Sequence, residues 1–274
     1  MEGIKTGWER ERRTHFDEIT ANYDKVRWEY PLELYTDIFA YQQTGRGEAA
    51  LEIGAGTGKA TTPFLMAGYS VTAVELGTNM AEFLLNKFKD YSGFNVITSA
   101  FEEAELTDGS YGLIYAASAF HWVDAEIGCP KVLRLLKSGG VFALFRNNPV
   151  DGYGFNEDIQ ELYRKYYLSI YPTNTMPAKK TRLELSQPSG INRGYGFYDM
   201  EHYGFTEITM KFYEVTHTYN ADDYVALLET YADHRSLPES NKAALYAGIK
   251  ESIIGNGGYC KQDYLFQLYM GRKP

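Results

Sequence analysis

The run Leu51-Glu52-Ile53-Gly54-Ala55-Gly56-Thr57-Gly58-Lys59 closes one short apolar stretch, and Glu75 closes the next, Val71-Thr72-Ala73-Val74. Glycines directly after a buried strand let the backbone turn sharply, so a ligand can lie against main-chain N–H groups with no Cβ between them. A carboxylate at the end of the following strand, about 20 residues on, is placed to accept hydrogen bonds from ribose hydroxyls. Together they predict a nucleotide-type pocket. A phosphate-cradling P-loop needs a glycine five positions before Gly58-Lys59 and a Ser or Thr after the lysine, where this chain has Ile53 and Ala60. The dinucleotide fingerprint needs a third glycine three residues after Gly56, where Lys59 stands, so NAD is the weaker choice.

The order strand, E-x-G-x-G-x-G, helix makes Glu52 to Gly58 resemble motif I of the class I S-adenosylmethionine (SAM) dependent methyltransferases. That resemblance implies SAM as cofactor and S-adenosylhomocysteine (SAH) as product. It implies Gly54, Ala55, Gly56 and Gly58 at the methionyl part, Glu75 at the ribose, and Leu76 and Phe101 as adenine walls. Glu52, Met80, Ala100, Glu102 and Ala116 complete the implied cofactor set, with no metal. The family's acidic adenine contact falls at Ala100 here, which leaves adenine to the backbone near Phe101, to Glu102, or to stacking.

Three further strings extend the resemblance. Phe16-Asp17-Glu18-Ile19-Thr20-Ala21-Asn22-Tyr23-Asp24-Lys25-Val26-Arg27-Trp28-Glu29-Tyr30-Pro31 resembles the leader of many small-molecule methyltransferases, in which a tyrosine and an arginine lie over the methionyl end. Tyr23 and Arg27 are the matching residues, and Trp28 stands where proline is usual. Ala119-Phe120-His121-Trp122-Val123-Asp124 resembles the motif beside the transferred methyl group. A histidine there could take an acceptor proton, which makes His121 the catalytic candidate, against a plain role at the cofactor's edge. Thr218 to Tyr231 resembles the tail of the branch that contains trans-aconitate and quinone-biosynthesis methyltransferases.

Positioning these residues takes successive βα units, hence a Rossmann-like α/β fold. Strands are predicted at Ala49 to Ile53, Ser70 to Val74, Asn95 to Thr98, Gly112 to Ala116 and Val141 to Phe145. Helices start near Lys59, Asn79 and Pro130, the last ending at a glycine cap in Ser138-Gly139-Gly140. Phe16, Ile19, Tyr23 and Val26 have helical spacing. Thr206 to Thr216 and Asp263 to Tyr269 read as an antiparallel pair that completes a seven-stranded, mostly parallel sheet with helices on both faces. Asn220 starts one helix, and Ser236-Leu237-Pro238-Glu239 opens another.

Residues 1–150 then form the SAM-binding core, 151–204 a tyrosine-rich cap inserted after strand five, and 205–274 the rest of the core. The cap holds Tyr153, Tyr163, Tyr166, Tyr167, Tyr171, Tyr195 and Tyr198, with Pro172, Pro177 and Pro188. Its basic residues are Lys179, Lys180, Arg182 and Arg193.

The chain has 274 residues, 44% of them hydrophobic, enough for one sizeable core with additions. With 27 basic against 36 acidic residues the net charge is −9, which disfavours nucleic acid and anionic membranes as partners. Two distant cysteines, Cys129 and Cys260, suggest neither zinc nor a disulfide framework. With no apolar run of signal-peptide or membrane-span length, a cytoplasmic location is expected. The expected reaction is methyl transfer to a small-molecule acceptor. A SAM-binding protein without transfer retains every motif equally well, and a NAD-dependent oxidoreductase or a macromolecule methyltransferase fits less well.

Overall fold

The computed structural model describes residues 17, 20–43, 45, 47–149, 157–174 and 200–274. Phe16 and Ile19 of the leader lie outside them. So do Tyr153, Tyr195, Tyr198, Pro177, Pro188, Lys179, Lys180, Arg182 and Arg193 of the expected cap.

Seven strands form one sheet: β1 (Ala49–Ile53), β2 (Ser70–Glu75), β3 (Phe94–Thr98), β4 (Tyr111–Ala117), β5 (Leu136–Pro149), β6 (Thr206–Asn220) and β7 (Tyr259–Arg272). Their order is β3-β2-β1-β4-β5-β7-β6. The first five pair in parallel, Ile53 opposite Val74 and Ala50 opposite Leu113. β7 runs antiparallel to both neighbours. Gly139 N–H donates to the Lys273 carbonyl at 2.9 Å while Asn148 Nδ2 donates to the Leu265 carbonyl at 3.3 Å. Thr206 Oγ1 donates to the Arg272 carbonyl at 3.3 Å while Thr216 Oγ1 donates to Asp263 Oδ1 at 2.5 Å. The strand order reverses between β1 and β4, and the loops leaving these two strands diverge. In open parallel sheets that crevice is where ligands bind.

The helices are α1 (Thr20–Val26), α2 (Leu32–Gln42), α3 (Thr61–Met66), α4 (Thr78–Lys87), α5 (Ala125–Leu135), α6 (Glu157–Tyr166), α7 (Ala221–Leu228), α8 (Ala232–Arg235) and α9 (Glu239–Gly255). Two expected boundaries shift. Pro130 lies inside α5, which starts five residues earlier because Asp124 accepts the Glu126 N–H at 3.1 Å as its cap. The glycine cap after it is absent. α5 passes at Leu136 straight into β5, and Gly139 takes its φ of +74° within that strand. Similarly, α9 begins at Glu239 with no side-chain cap, and Ser236 Oγ instead donates back to the Ala232 carbonyl at 2.7 Å. Asn220 does cap α7, accepting the Asp223 N–H at 2.8 Å.

The chain divides into two compact units. The larger comprises Glu29–Asn147, Arg182–Tyr213 and Phe266–Pro274. Its sheet separates two buried layers. Leu51 and Ile53 join Ile114, Phe142, Cys129 and Val132 in an apolar cluster that includes one side of α5. Glu52 instead shares a layer with Tyr115, whose ring stacks on Phe64 of α3 at 4.0 Å. Burial pushes the Cys129 thiol up to about 12, so it stays protonated.

The smaller unit comprises Met1–Trp28, Asn148–Thr181 and Glu214–Leu265. Here α9 packs on α6 and α7 around a tyrosine cluster centred on His234. Tyr163 and Tyr246 hydroxyls lie 3.3 Å and 3.4 Å from the two ring nitrogens of His234. Beside it, Tyr167 donates to Asp233 Oδ2 at 2.5 Å. Burial pulls the His234 pKa below its usual 6.5. The unfolded chain then binds a proton below about pH 6.5 that the folded chain does not, so stability falls as pH drops through that window. Wild type should therefore lose more of its thermal midpoint between pH 7.5 and pH 5.5 than H234Q. Equal losses would place the pH sensitivity elsewhere.

Candidate functional site

The loop after β1 lies at the β1/β4 divergence. Gly54, Gly56 and Gly58 all have positive φ, at 67°, 56° and 78°. Gly54 N–H donates to the Val74 carbonyl at 2.8 Å, holding the loop's start to β2. A Cβ on Gly54 would stand 2.6 Å from the Ala119 methyl, so the segment after β4 packs directly on the loop. Gly56 is different: the nearest atom such a Cβ would meet is Met80 Sδ, at 4.0 Å. The loop is closed on one side and open at its centre.

Glu75 organises that centre. Its Oε2 accepts the Gly56 N–H at 2.7 Å and its Oε1 accepts the Gly77 N–H at 3.0 Å. The carboxylate so ties the glycine loop to the turn that starts α4. Glu52 sits beneath the loop, fully buried, and its Oε2 accepts from Thr61 Oγ1 at 2.6 Å and Tyr115 OH at 2.9 Å. Among the described residues Glu52 Oε1 and the buried Thr57 hydroxyl have no hydrogen-bond partner. Burial drives the Glu52 carboxyl up to about 8, opposed by its bonds to Thr61 and Tyr115. Open space at Gly56, a partly committed carboxylate and two unpaired buried oxygens fit a ligand that brings both hydroxyl and cationic groups.

The remaining sequence-predicted residues of this unit are buried or half-buried around the loop. Ala55, Met80, Ala100 and Ala116 are buried, and Leu76 is half-buried. Phe101 belongs to the apolar cluster, its ring 6.5 Å from that of Phe120. Glu102 Oε1 accepts the Asp124 N–H at 3.3 Å, which joins the loop after β3 to the start of α5. His121 lies in a short 3-10 turn, Phe120–Trp122, its ring 5.0 Å from the Trp122 ring. Tyr23 and Arg27 belong to the smaller unit. There Arg27 Nη2 donates to the Thr230 carbonyl at 2.8 Å, and its guanidinium carbon lies 4.5 Å from the Tyr231 ring and 4.9 Å from the Tyr23 ring.

A family model described as a methyltransferase domain matches residues 51–144, the span that carries the loop, Glu75, Phe101 and His121. The protein is a SAM-dependent methyltransferase. It is 26% identical over 238 residues to an uncharacterised methyltransferase of Schizosaccharomyces pombe, covering 85% of this chain and 84% of that one. A solved structure from Anaeromyxobacter dehalogenans, provisionally assigned as a type II methyltransferase, shares its fold with a TM-score of 0.61 at 20% identity, over 90% of this chain and 97% of that one. Haemonchus contortus phosphoethanolamine N-methyltransferase 2, solved with phosphomonomethylethanolamine and SAH, gives a TM-score of 0.54 at 16% identity. That match covers 99% of this chain but spans only 61% of the nematode enzyme.

Two residues of the methyltransferase that support the site were not singled out from sequence. Tyr30 OH donates to Ser118 Oγ at 2.9 Å, so the chain before α2 pins the loop after β4. Ser118 itself has a φ of +53°. Lys131 of α5 turns inward and donates from Nζ to the carbonyls of Phe101 at 2.7 Å, Ala104 at 2.6 Å and Glu102 at 3.3 Å. One ammonium thereby holds the turn after β3. Its signal in the sequence is a lysine on the buried stripe Gly128, Lys131, Leu135. Replacing it with methionine keeps the stem and removes all three donors. Hydrogen bonds to charged groups contribute about 1.5–3 kcal/mol. K131M should lose stability of that order and show faster amide exchange confined to residues 99–106; unchanged exchange there would show that the turn holds without it.

Proposed function

We propose that the methyltransferase acts on a small-molecule acceptor, using the glycine loop for the methionyl part of SAM and Glu75 for its ribose. The observation that carries the cofactor placement is the Glu75 carboxylate shared between the Gly56 and Gly77 N–H groups beside the open face of Gly56. When bound, SAM supplies an electrophilic methyl group on a sulfonium. The protein's part is to hold donor and acceptor in line with water excluded, a contribution that reaches roughly 7–11 kcal/mol in favourable cases without a dedicated base.

In this reading Leu76, Met80, Ala100, Phe101, Glu102 and Ala116 line the nucleoside end, the latter two strands' loops being fixed by Lys131 and Tyr30. Ala55, Gly54 and Gly58 shape the methionyl end together with Glu52. His121 stands at the transfer end. The net charge of −9 supports a small acceptor over a nucleic acid. The leader around Tyr23 and the tail around Tyr224, which resemble those of the trans-aconitate and quinone-biosynthesis branch, support it too. Calorimetric titration with SAH, with NADH as comparison, tests the placement. Micromolar binding of SAH alone is the expected result; NADH binding without SAH would overturn it.

A further inference from the structure

Two carboxyl groups flank one loop in the larger unit, and they are not equivalent. Glu75 spends both oxygens on backbone N–H groups. Glu52, two residues before Gly54, receives two hydroxyls on Oε2 and nothing on Oε1. Its bond to Thr61 spans the loop's base, since Thr61 opens α3 directly after it. Among the described residues, the side-chain donors to Glu52 are the Thr61 and Tyr115 hydroxyls. The polar and charged groups that act on it among the described residues are Thr61 from α3, Tyr115 from β4, Tyr35 from α2, Glu75 from β2, and Lys87 from α4. Only Lys87 is cationic, and its Nζ is held by the Thr57 carbonyl at 2.9 Å.

A carboxyl that is fully buried with one oxygen unpartnered holds its proton more readily than one bonded to N–H donors. Glu75 has the better claim to ionisation, because N–H donors stabilise a carboxylate. Burial and the Glu75 charge both favour the protonated form of Glu52, which titrates near 8.

We propose that the Glu52–Glu75 pair holds one proton on Glu52 in the ligand-free protein and releases it to solvent when a cationic ligand occupies the loop. This inference rests on the reading of the loop as the donor site. SAM carries a sulfonium and a net charge of +1 near neutrality, whereas SAH carries a neutral sulfur and no net charge. Positive charge over the loop stabilises the Glu52 carboxylate; a neutral ligand does so less. The pair is therefore a charge sensor that tells donor from product, and its discrimination grows with pH.

The test is the ratio of SAH to SAM dissociation constants, measured by calorimetry between pH 6.5 and 8.5, for wild type and for E52Q. The α-amino group titrates lower in SAM than in SAH because the nearby sulfonium disfavours a second positive charge, so the contribution of Glu52 is read as the difference between wild type and E52Q. A fully linked proton changes affinity up to about tenfold per pH unit below the pKa of the pair. Relative to E52Q, wild type should show a ratio that rises severalfold across this range, and SAM titrations in buffers of different ionisation heat should report more proton release in wild type than in E52Q. E52Q keeps the ligand's own titration and loses that of Glu52, whatever its absolute affinity for the two ligands. The same pH dependence of the ratio in wild type and E52Q overturns the inference while leaving the site standing. Failure of wild type to bind either ligand removes the site reading with it. If E52Q does not fold, T61V, which removes a hydroxyl that favours the Glu52 carboxylate, should shift the wild-type profile to higher pH, and an unshifted profile overturns the inference.

Discussion

Glu75→Ala should weaken SAH binding roughly 10- to 150-fold, the equivalent of a lost hydrogen bond to a charged group at about 1.5–3 kcal/mol. Two effects add. In the proposed placement the carboxylate meets the ribose, and it also ties two backbone groups together, the Gly56 N–H at 2.7 Å and the Gly77 N–H at 3.0 Å. Glutamine does not rescue both, because its amide nitrogen is a donor and would face one of two N–H donors. E75Q should therefore fall between wild type and E75A. Far-UV circular dichroism should show the fold retained, since the sheet pairs β1 with β2 through five backbone positions that do not involve this side chain. Unchanged SAH affinity in E75A would show that the ribose lies elsewhere.

Much of this site was legible because its signals are local. A glycine loop between Ile53 and α3 and an acid at the end of β2 need only two short strands in register, and the register of Ile53 with Val74 brings Gly54 and Glu75 side by side. Strands β1 to β4 came within a residue or so of their observed bounds for the same reason, each being a short apolar run between polar turns. What sequence did not show depends on contacts between distant segments. Lys131 meets the carbonyls of residues 101–104 only because α5 lies against the turn after β3. Tyr30 meets Ser118 across 88 positions. Pro130 reads as a helix start because proline suits a first turn, yet the Asp124 cap outweighs it. Gly139 reads as a helix cap, but pairing with the C-terminal strand through the Lys273 carbonyl recruits it into β5. Glu52 matched the motif by identity alone; its unpaired oxygen and raised pKa come from a layer built by Tyr115, Phe64 and Tyr35, none of them near it in sequence.

Alanine at Gly58 and alanine at Gly56 should fail in different ways, and the difference separates the loop's structural duty from its ligand duty. Both positions have left-handed φ, at 78° and 56°, so each substitution carries a backbone cost of about 1–2 kcal/mol. At Gly58 the new methyl would also stand 2.5 Å from Phe88 Cε2 and 2.8 Å from Leu84 Cδ2. Phe88 is buried and packs against the Phe94 ring at 4.8 Å, so it has little room to yield. Overpacking of this kind adds about 1–3 kcal/mol. G58A should accordingly show a thermal midpoint lower by several degrees before any ligand is added. At Gly56 nothing lies closer than Met80 Sδ at 4.0 Å, so G56A should pay only the backbone term and lose less of its midpoint than G58A. Its methyl group instead projects into the open face of the loop, where the methionyl part is placed, and SAH affinity should fall by more than that of any variant outside the loop. A G56A protein that binds SAH like wild type would mean that the open face beside Gly56 is not where the ligand lies, and the cofactor would then have to be sought along another edge of the β1/β4 crevice.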